Sequence, residues 1–338
     1  MKKTLLLLIL CLSCGAMTAW SQKNQEDPEN EIAVVGYFCK NDTMTYRQTY
    51  NKYTIQENDT TVSEFYEEEF MIVVTDSTSN GYKMKYIPLS FTHHDADMDA
   101  SPMENPMSQL MHSVVCEFTT DEYGSIKSIT NWCEIRDQLK EHVKVMCDSL
   151  CSTIPGLDSQ ARKSLENRIL YCFSTEEDIR DSYEELETLF GLHGSSYEIC
   201  DKAEDTEEQG YPQHNIVRIG YTPIESEDYD HDGDYEFFTQ STATIPVEDF
   251  KDSLGAISAI VGNIADEANE GLEAGFDQIV DSLKIAKPNG AVSMLTEYYS
   301  FFVNGWLKEY CYEEAVDLGF YQVIETKLIR CISSYMRI

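Results

Sequence analysis

Residues 114–143 constrain the fold of this chain most strongly, because they combine two strand patterns, a turn and a helix start in one run. Apolar side chains occupy alternate positions on both sides of an acidic turn: Val114, Cys116 and Phe118 before it, and Ile126 and Ile129 after it. Such alternation is typical of half-buried strands. Gly124 ends the turn and can adopt the positive φ that short hairpin loops need. The run therefore predicts an antiparallel hairpin.

A helix is predicted directly after the hairpin. Asn131 stands at its N-cap, and Glu134 follows three residues later, which is an Asn-initiated variant of the capping box. Ile135, Leu139 and Val143 then recur at the spacing of one helical face. A hairpin that leads into an amphipathic helix predicts an α+β fold, in which a curved antiparallel sheet packs on amphipathic helices.

The same run resembles a family of secreted Bacteroidetes proteins of unknown function. The residues that carry the resemblance follow the acidic turn, and they are Gly124, Ile126, Ile129, Asn131, Trp132, Glu134 and Ile135. The family has no assigned activity, so the resemblance implies no catalytic residue. It also implies a loose similarity to periplasmic lipoprotein carriers, in which a curved antiparallel sheet wraps around helices. That analogy concerns the fold alone.

The predicted strands fall into two blocks along the chain, and each block also contains predicted helices. Residues 31–153 are predicted to form an antiparallel sheet and a helix. Residues 154–338 are predicted to hold a helical middle, a second set of strands and a helical insertion at 247–287, where apolar residues recur at threes and fours. Two similar halves are one interpretation of this layout, although no repeat is visible at a fixed period.

The N-terminus has the pattern of a secretory signal peptide at residues 1–21. Lys2 and Lys3 precede a short apolar run, and the small residues Ala19 and Ser21 form a cleavage site, so we expect cleavage after Ser21. Acylation at Cys14, as in a lipoprotein, is the alternative. The mature chain is predicted to be periplasmic or secreted, with a disordered polar tail at residues 22–30.

The charge of the chain excludes several classes of partner. The sequence contains 60 Asp and Glu against 25 Lys and Arg, a formal net charge of −35. Nucleic acids and anionic membranes are recognised through basic surfaces. We therefore expect no nucleic-acid partner.

Beyond the signal peptide, no apolar run reaches the length of about 20 residues that a transmembrane helix requires.

Two of the 11 cysteines lie in the signal peptide, so the predicted mature chain keeps 11 − 2 = 9, an odd number. At least one thiol per monomer is therefore expected to have no disulfide partner within the chain. Cys116, Cys133, Cys172 and Cys331 lie within apolar patterns. They are predicted to be small core residues rather than disulfide partners.

An acidic loop is the strongest metal candidate. Its alternating aspartates are Asp228, Asp230, Asp232 and Asp234. In an EF-hand loop, carboxylates at this spacing converge on calcium because a glycine, here Gly233, permits a sharp turn. Thr239 stands where the bidentate glutamate is expected, and strands flank the loop, so the predicted calcium site is weak. A solvated acidic hairpin loop is the alternative interpretation.

The sequence contains no nucleophile elbow, phosphate-binding loop or HExxH motif, so it favours a non-enzymatic function. The predicted function is an exported binding or carrier protein, with a small apolar ligand held in a pocket between sheet and helices. The alternative is an acidic cell-envelope or host-facing protein that binds a protein partner and has a loop at Asp228 weakly stabilised by calcium.

Overall fold

The computed structural model describes residues 30–56, 59–95, 114–153, 159–208, 211–222, 233–247 and 281–336. The predicted signal peptide, with Cys14, lies outside these residues, as does the predicted tail apart from residue 30. Most of the predicted insertion at 247–287 also lies outside them, although residues 281–286 are helical. The domain boundaries and the exported location therefore stay predictions.

The described residues form one antiparallel sheet of 11 strands and another of two. The strands before the helices are β1 (Glu31–Ala33), β2 (Thr43–Gln56), β3 (Asp59–Thr78), β4 (Gly81–Asp95), β5 (Cys116–Thr120) and β6 (Ile126–Ile129). The strands after them are β7 (Ser196–Glu198), β8 (Cys200–Glu208), β9 (Tyr211–Tyr221), β10 (Tyr235–Ile245), β11 (Ala291–Phe301), β12 (Leu307–Asp317) and β13 (Tyr321–Tyr335).

The helices between β6 and β7 are α1 (Trp132–Thr153), α2 (Ser159–Tyr171), α3 (Glu176–Asp181) and α4 (Glu184–Phe190). Among the described helices, none combines the length and the apolar character that crossing a membrane requires. The predicted combination of an antiparallel sheet with helices is confirmed. The curvature of the sheet and the similarity of two halves stay predictions.

The large sheet consists of two meanders that meet at its centre. Strands β2 to β6 lie side by side in chain order, and strands β8 to β13 do the same. The first strand of one meander, β2, pairs with the last strand of the other, β13, in an antiparallel arrangement. We call this pairing the central seam. Alternate residues of a strand point to opposite faces, and we call the face that carries the buried Met44 and Tyr46 the inner face.

The hairpin and helix predicted at residues 114–143 are present as β5, β6 and α1. Gly124 has a φ of 104°, as its turn position requires. Ile135, Leu139 and Val143 are each 0% exposed. The apolar face of α1 therefore packs into the core as its spacing predicted.

The side chain of Asn131 has a different role from the predicted one. Its Oδ1 accepts a hydrogen bond from the backbone N–H of Glu117 at 2.8 Å, and its Nδ2 donates to the carbonyl of Val115 at 2.9 Å. The backbone carbonyl of Asn131, rather than its side chain, accepts from the amides of Glu134 and Ile135. Because a side-chain amide carries the same donor and acceptor as a peptide group, Asn131 extends the hydrogen bonding of β5.

The inner face carries two separate apolar clusters. The main core lies at one end of the central strands and contains the fully buried rings of Tyr46, Phe70, Tyr86, Phe118, Phe190, Phe301 and Trp306. The second apolar cluster lies at the other end of β10 to β13 and contains Ile245, Val247, Leu283, Ala291, Val316, Leu318 and Val323. Strand β11 runs from Ala291 in one cluster to Phe301 in the other.

The predicted core cysteines are only partly in the core. Cys116 is buried as predicted, and Cys331 is half-buried. Cys133 and Cys172 are exposed, so the prediction is wrong for them. Both lie in or next to helices, where one residue of error in the helical phase turns a side chain by about 100° and away from the core.

His193 lies in the main core beneath the N-terminal segment, residues 34–38. Its Nε2–H donates to the backbone carbonyl of Gly305 at 3.0 Å. Its ring contacts the rings of Phe38, Phe190 and Phe301. Burial of the imidazole lowers the pKa of His193 from 6.5 to about 4.

We expect His193 to make the protein less stable in mild acid. The unfolded chain binds a proton at this residue below its ordinary pKa of 6.5, whereas the folded chain resists protonation down to about 4. The stabilisation is therefore present above the ordinary pKa and is lost as the pH falls towards the folded value. Between about pH 7.5 and pH 5 the free energy of unfolding should fall by about 2 kcal/mol through this residue.

Urea unfolding at the two pH values measures this effect. His193→Gln keeps a donor for Gly305 but does not titrate, so its stability should fall by about 2 kcal/mol less than that of the wild type over the same interval. An equal fall in both proteins would contradict the assignment.

Candidate ligand-binding site

Three rows of side chains cross the middle of the inner face, between the main core and the second apolar cluster. Each row is set by the register of β3, β2, β13, β12 and β11. The row nearest the main core is Glu68, Gln48, Ile329, Tyr310 and Tyr299; the next is Tyr66, Tyr50, Lys327, Tyr312 and Glu297; the third is Glu64, Lys52, Glu325, Glu314 and Leu295. We call the polar members of these rows the polar belt.

The polar belt lies on the same face of the sheet as the apolar residues of β12 and β13, and it separates them into two groups. On β13, Val323 and Ile329 are 4% and 0% exposed, and Glu325 and Lys327 lie between them at alternate positions. On β12, Tyr310 and Val316 are buried, and Tyr312 and Glu314 lie between them in the same way. Alternate residues share a face, so each strand passes from apolar to polar and back to apolar.

Both lysines of the polar belt are held by carboxylates. The Nζ of Lys52 bonds to Oε1 of Glu325 across the central seam, and these side chains are only 8% and 14% exposed. The hydroxyl of Tyr50 donates to Oε2 of the same glutamate at 3.0 Å. The Nζ of Lys327 lies 3.4 Å from Oε2 of Glu184 on α4.

Helix α4 reaches the polar belt through a second contact. The Nε2 of Gln48 donates to Oε1 of Glu185 at 3.0 Å and to the hydroxyl of Tyr66 at 3.2 Å. Beside it, the hydroxyl of Tyr86 donates to Oε1 of Glu68. The bond between Gln48 and Glu185 joins the helix to the sheet at the boundary of the main core, and the other two join neighbouring strands.

The tyrosines of the polar belt act as donors. The hydroxyl of Tyr310 donates to Oε1 of Glu297 at 3.1 Å, and that of Tyr312 donates to Oε2 of Glu314 at 2.8 Å. Burial is the main cause that raises the pKa of both phenols above the ordinary value of 10.0; Tyr299 and Glu297 add to it at Tyr310, and Glu314 adds to it at Tyr312. Burial also raises the pKa of Glu297. The phenols therefore stay protonated over the physiological range.

Three acceptor atoms of the polar belt have no hydrogen-bond partner within the described part of the chain: Oε1 of Gln48, Oε2 of Glu297 and Oε1 of Glu314. These residues are 0%, 7% and 6% exposed. A buried polar atom without a partner costs about 1–3 kcal/mol. The belt can therefore accept hydrogen bonds that the described residues do not supply.

The predicted calcium ligands are only partly described. Asp228, Asp230 and Asp232 lie outside the described residues, and the calcium site stays a prediction. Asp234 is 1% exposed, and its carboxylate accepts from the backbone N–H of Val303 at 3.1 Å and from Nζ of Lys308 at 3.3 Å. It therefore holds the β11–β12 turn. Within the described residues, no three His, Cys, Asp or Glu side chains are grouped so that they could hold a metal ion.

Sequence reasoning did not identify the polar belt. The only signal was on β11 and β12, where Glu297, Tyr299, Tyr310, Tyr312 and Glu314 follow the alternation of a strand face. Glutamate and tyrosine at alternate positions are equally typical of a solvent-exposed face. Their burial becomes visible only when the five strands are aligned.

No family model matches this chain, and no curated protein matches it either. A solved structure entitled "Lipid-protein interactions in lipovitellin" aligns with 89% of this chain at 9% sequence identity and a TM-score of 0.34. The alignment covers 26% of that structure, so this chain spans about a quarter of its length. A similarity of this size does not establish a shared fold.

Proposed function

We propose that this chain is an exported binding or carrier protein that holds a small amphipathic ligand against the inner face of its sheet. The observation that supports it is the polar belt, with three buried acceptors that the described residues leave unpaired, between two apolar clusters. Folded proteins pair nearly all of their buried polar atoms. A bound ligand with donor groups would complete the pairing.

The ligand has to match both parts of the face. The second apolar cluster offers Val316 and Val323 directly beside the third row of the belt, which suits a hydrocarbon or ring system. The belt offers acceptors, which suit hydroxyl or amine groups. The sequence predicted an apolar ligand; the belt adds the requirement that this ligand carry donors at one end. Small-molecule sites commonly combine an apolar lining with a few such polar groups.

Native mass spectrometry tests this proposal on the full-length protein purified from its own host. We expect a native mass that exceeds the denatured mass by the mass of a small molecule, and the excess identifies the ligand. The denatured mass also tests export, because it shows whether the chain was cleaved after Ser21 or carries a lipid at Cys14. Equal native and denatured masses would contradict the proposed function.

A pair of adjacent substitutions on β11 locates the ligand. Ser293 lies opposite Val316 of the second apolar cluster, on the inner face, and Val292 points to the other face. Ser293→Trp should fill the binding space and weaken ligand binding at least about tenfold, equivalent to about 1.4 kcal/mol, so the occupied fraction should fall. Val292→Trp should leave it unchanged. Equal occupancy in both variants, each checked for its melting temperature, would place the ligand elsewhere.

A further inference from the structure

Two glutamates of the polar belt on neighbouring strands each have one oxygen without a partner among the described residues. Glu297 on β11 lies opposite Tyr312, and Glu314 on β12 lies two residues beyond that tyrosine. Residues offset in this way on one face of an antiparallel pair are diagonal neighbours about 7 Å apart, within reach of long side chains. Their carboxylates therefore border the same part of the inner face, next to Leu295 and Val316.

Neither of these two carboxylates bonds to a cation among the described residues. Tyrosine hydroxyls occupy Oε1 of Glu297 and Oε2 of Glu314. The other oxygen of each carboxylate has no partner among the described residues, and both side chains are more than nine-tenths buried. Lys52 and Lys327, the lysines of the belt, bond to other glutamates. Buried carboxylates without a cation are costly, so a positively charged donor is the group that compensates both.

From this geometry we infer that Glu297 and Glu314 bind the ammonium group of an amphipathic organic amine, with its apolar part on the second apolar cluster. The inference rests on the proposed function and specifies its ligand class. A primary ammonium group carries three donors, enough for both unpaired oxygens. The rings of Tyr299 and Tyr310, with centroids 4.6 Å apart, lie beside Glu297 and favour a cation over a neutral group.

Three other ligand classes fit the site less well. An anionic head group would meet two buried carboxylates of the same charge. A divalent metal ion needs about six oxygen ligands at short distances, and the described residues contain no group of three candidate ligands. A neutral hydroxyl can donate a hydrogen bond but leaves both charges uncompensated.

Isothermal titration calorimetry with octylammonium tests the inference on the full chain near neutral pH. Binding to exposed carboxylates is largely screened at about 0.15 M salt. We expect octylammonium to bind at one saturable site. Octanol and octanoate share its tail but not its positive charge, so they should bind at least about tenfold more weakly, a difference of about 1.4 kcal/mol.

The variant Glu297→Gln/Glu314→Gln keeps the shape of both side chains but removes their charge. It should weaken octylammonium binding at least about tenfold, and each single variant should show part of the loss. Glu313→Gln, on the opposite face of β12, is the matched control and should bind as the wild type does. Melting temperatures of all variants show that they are folded.

The outcomes separate this inference from the proposed function. Equal binding of octylammonium and octanol, or equal octylammonium affinity in the wild type and the double glutamine variant, would overturn the assignment of these carboxylates. If the native mass still shows a bound small molecule, the proposed function stands with a different head group. If the native mass shows no ligand and no probe binds, both fail.

Discussion

Lys52→Met is expected to lower the free energy of unfolding by about 3 kcal/mol, because it removes one partner of a buried ion pair. The Nζ of Lys52 bonds to Glu325 across the central seam, and both side chains are largely buried. Without the lysine, Glu325 keeps the hydroxyl of Tyr50 as a partner but loses its cation. It would also lie opposite Glu314, a residue of like charge, in the same row.

Urea unfolding near neutral pH measures this loss, and two further variants show its cause. Lys52→Met/Glu325→Gln removes the buried charge but keeps an acceptor for Tyr50, so it should recover most of the stability. Arg47→Met breaks the exposed pair with Glu69 on the other face of β2, which should cost less than about 1 kcal/mol. If Lys52→Met costs no more than Arg47→Met, the seam pair does not stabilise the fold as argued.

Gly305→Ala is expected to cost more than about 2 kcal/mol, because two effects add. Gly305 has a φ of 86°, and an alanine in this left-handed region is strained by about 1–2 kcal/mol. An added Cβ would also lie 2.4 Å from the backbone oxygen of Val35 and 2.9 Å from its carbonyl carbon. Backbone atoms cannot rotate away as a side chain can, so the N-terminal segment would have to shift.

Gly220→Ala is the matched control for this prediction. Gly220 lies in β9 without a positive φ, and an added Cβ would meet nothing within 4 Å. Alanine there should change the free energy of unfolding by less than about 1 kcal/mol, and in the stabilising direction, because a strand glycine loses more chain entropy on folding. Thermal unfolding of both variants checks the pair. Similar melting temperatures for the two would contradict the role assigned to Gly305.

The parts of the fold that sequence analysis predicted are local. The alternation at residues 114–118 and the spacing of Ile135, Leu139 and Val143 are complete within a few residues, so the hairpin and α1 could be recognised. Asn131 shows the limit of such reasoning. An asparagine before a helix has the same local pattern whether its amide binds the first helical turn or the neighbouring strand, and only the position of β5 decides between them.

The candidate site could not be predicted because it depends on contacts that are distant in sequence. The belt is continuous across the sheet only because β2 pairs with β13, and Lys52 and Glu325 are 273 positions apart. Glu297 and Glu314 look like the exposed residues of amphipathic strands until the register places them between two apolar clusters. The predicted calcium loop was the more conspicuous pattern, and it stays a prediction; Asp234, the one candidate ligand of it that the structure describes, holds the β11–β12 turn.

The central seam is also the pairing that the order of synthesis delays most, because its two strands are far apart in sequence. Within each meander, neighbouring strands follow one another in the chain, whereas β2 must leave one edge open until β13 has been synthesised, and an open edge invites pairing with a wrong strand. The charges of the seam favour the correct alignment over one of the neighbouring alignments. Sliding β13 by two residues would place Lys327 opposite Lys52, so the misaligned pairing brings like charges together while the native one joins Lys52 to Glu325. The ion pair therefore favours the native alignment of the two meanders over this misaligned one.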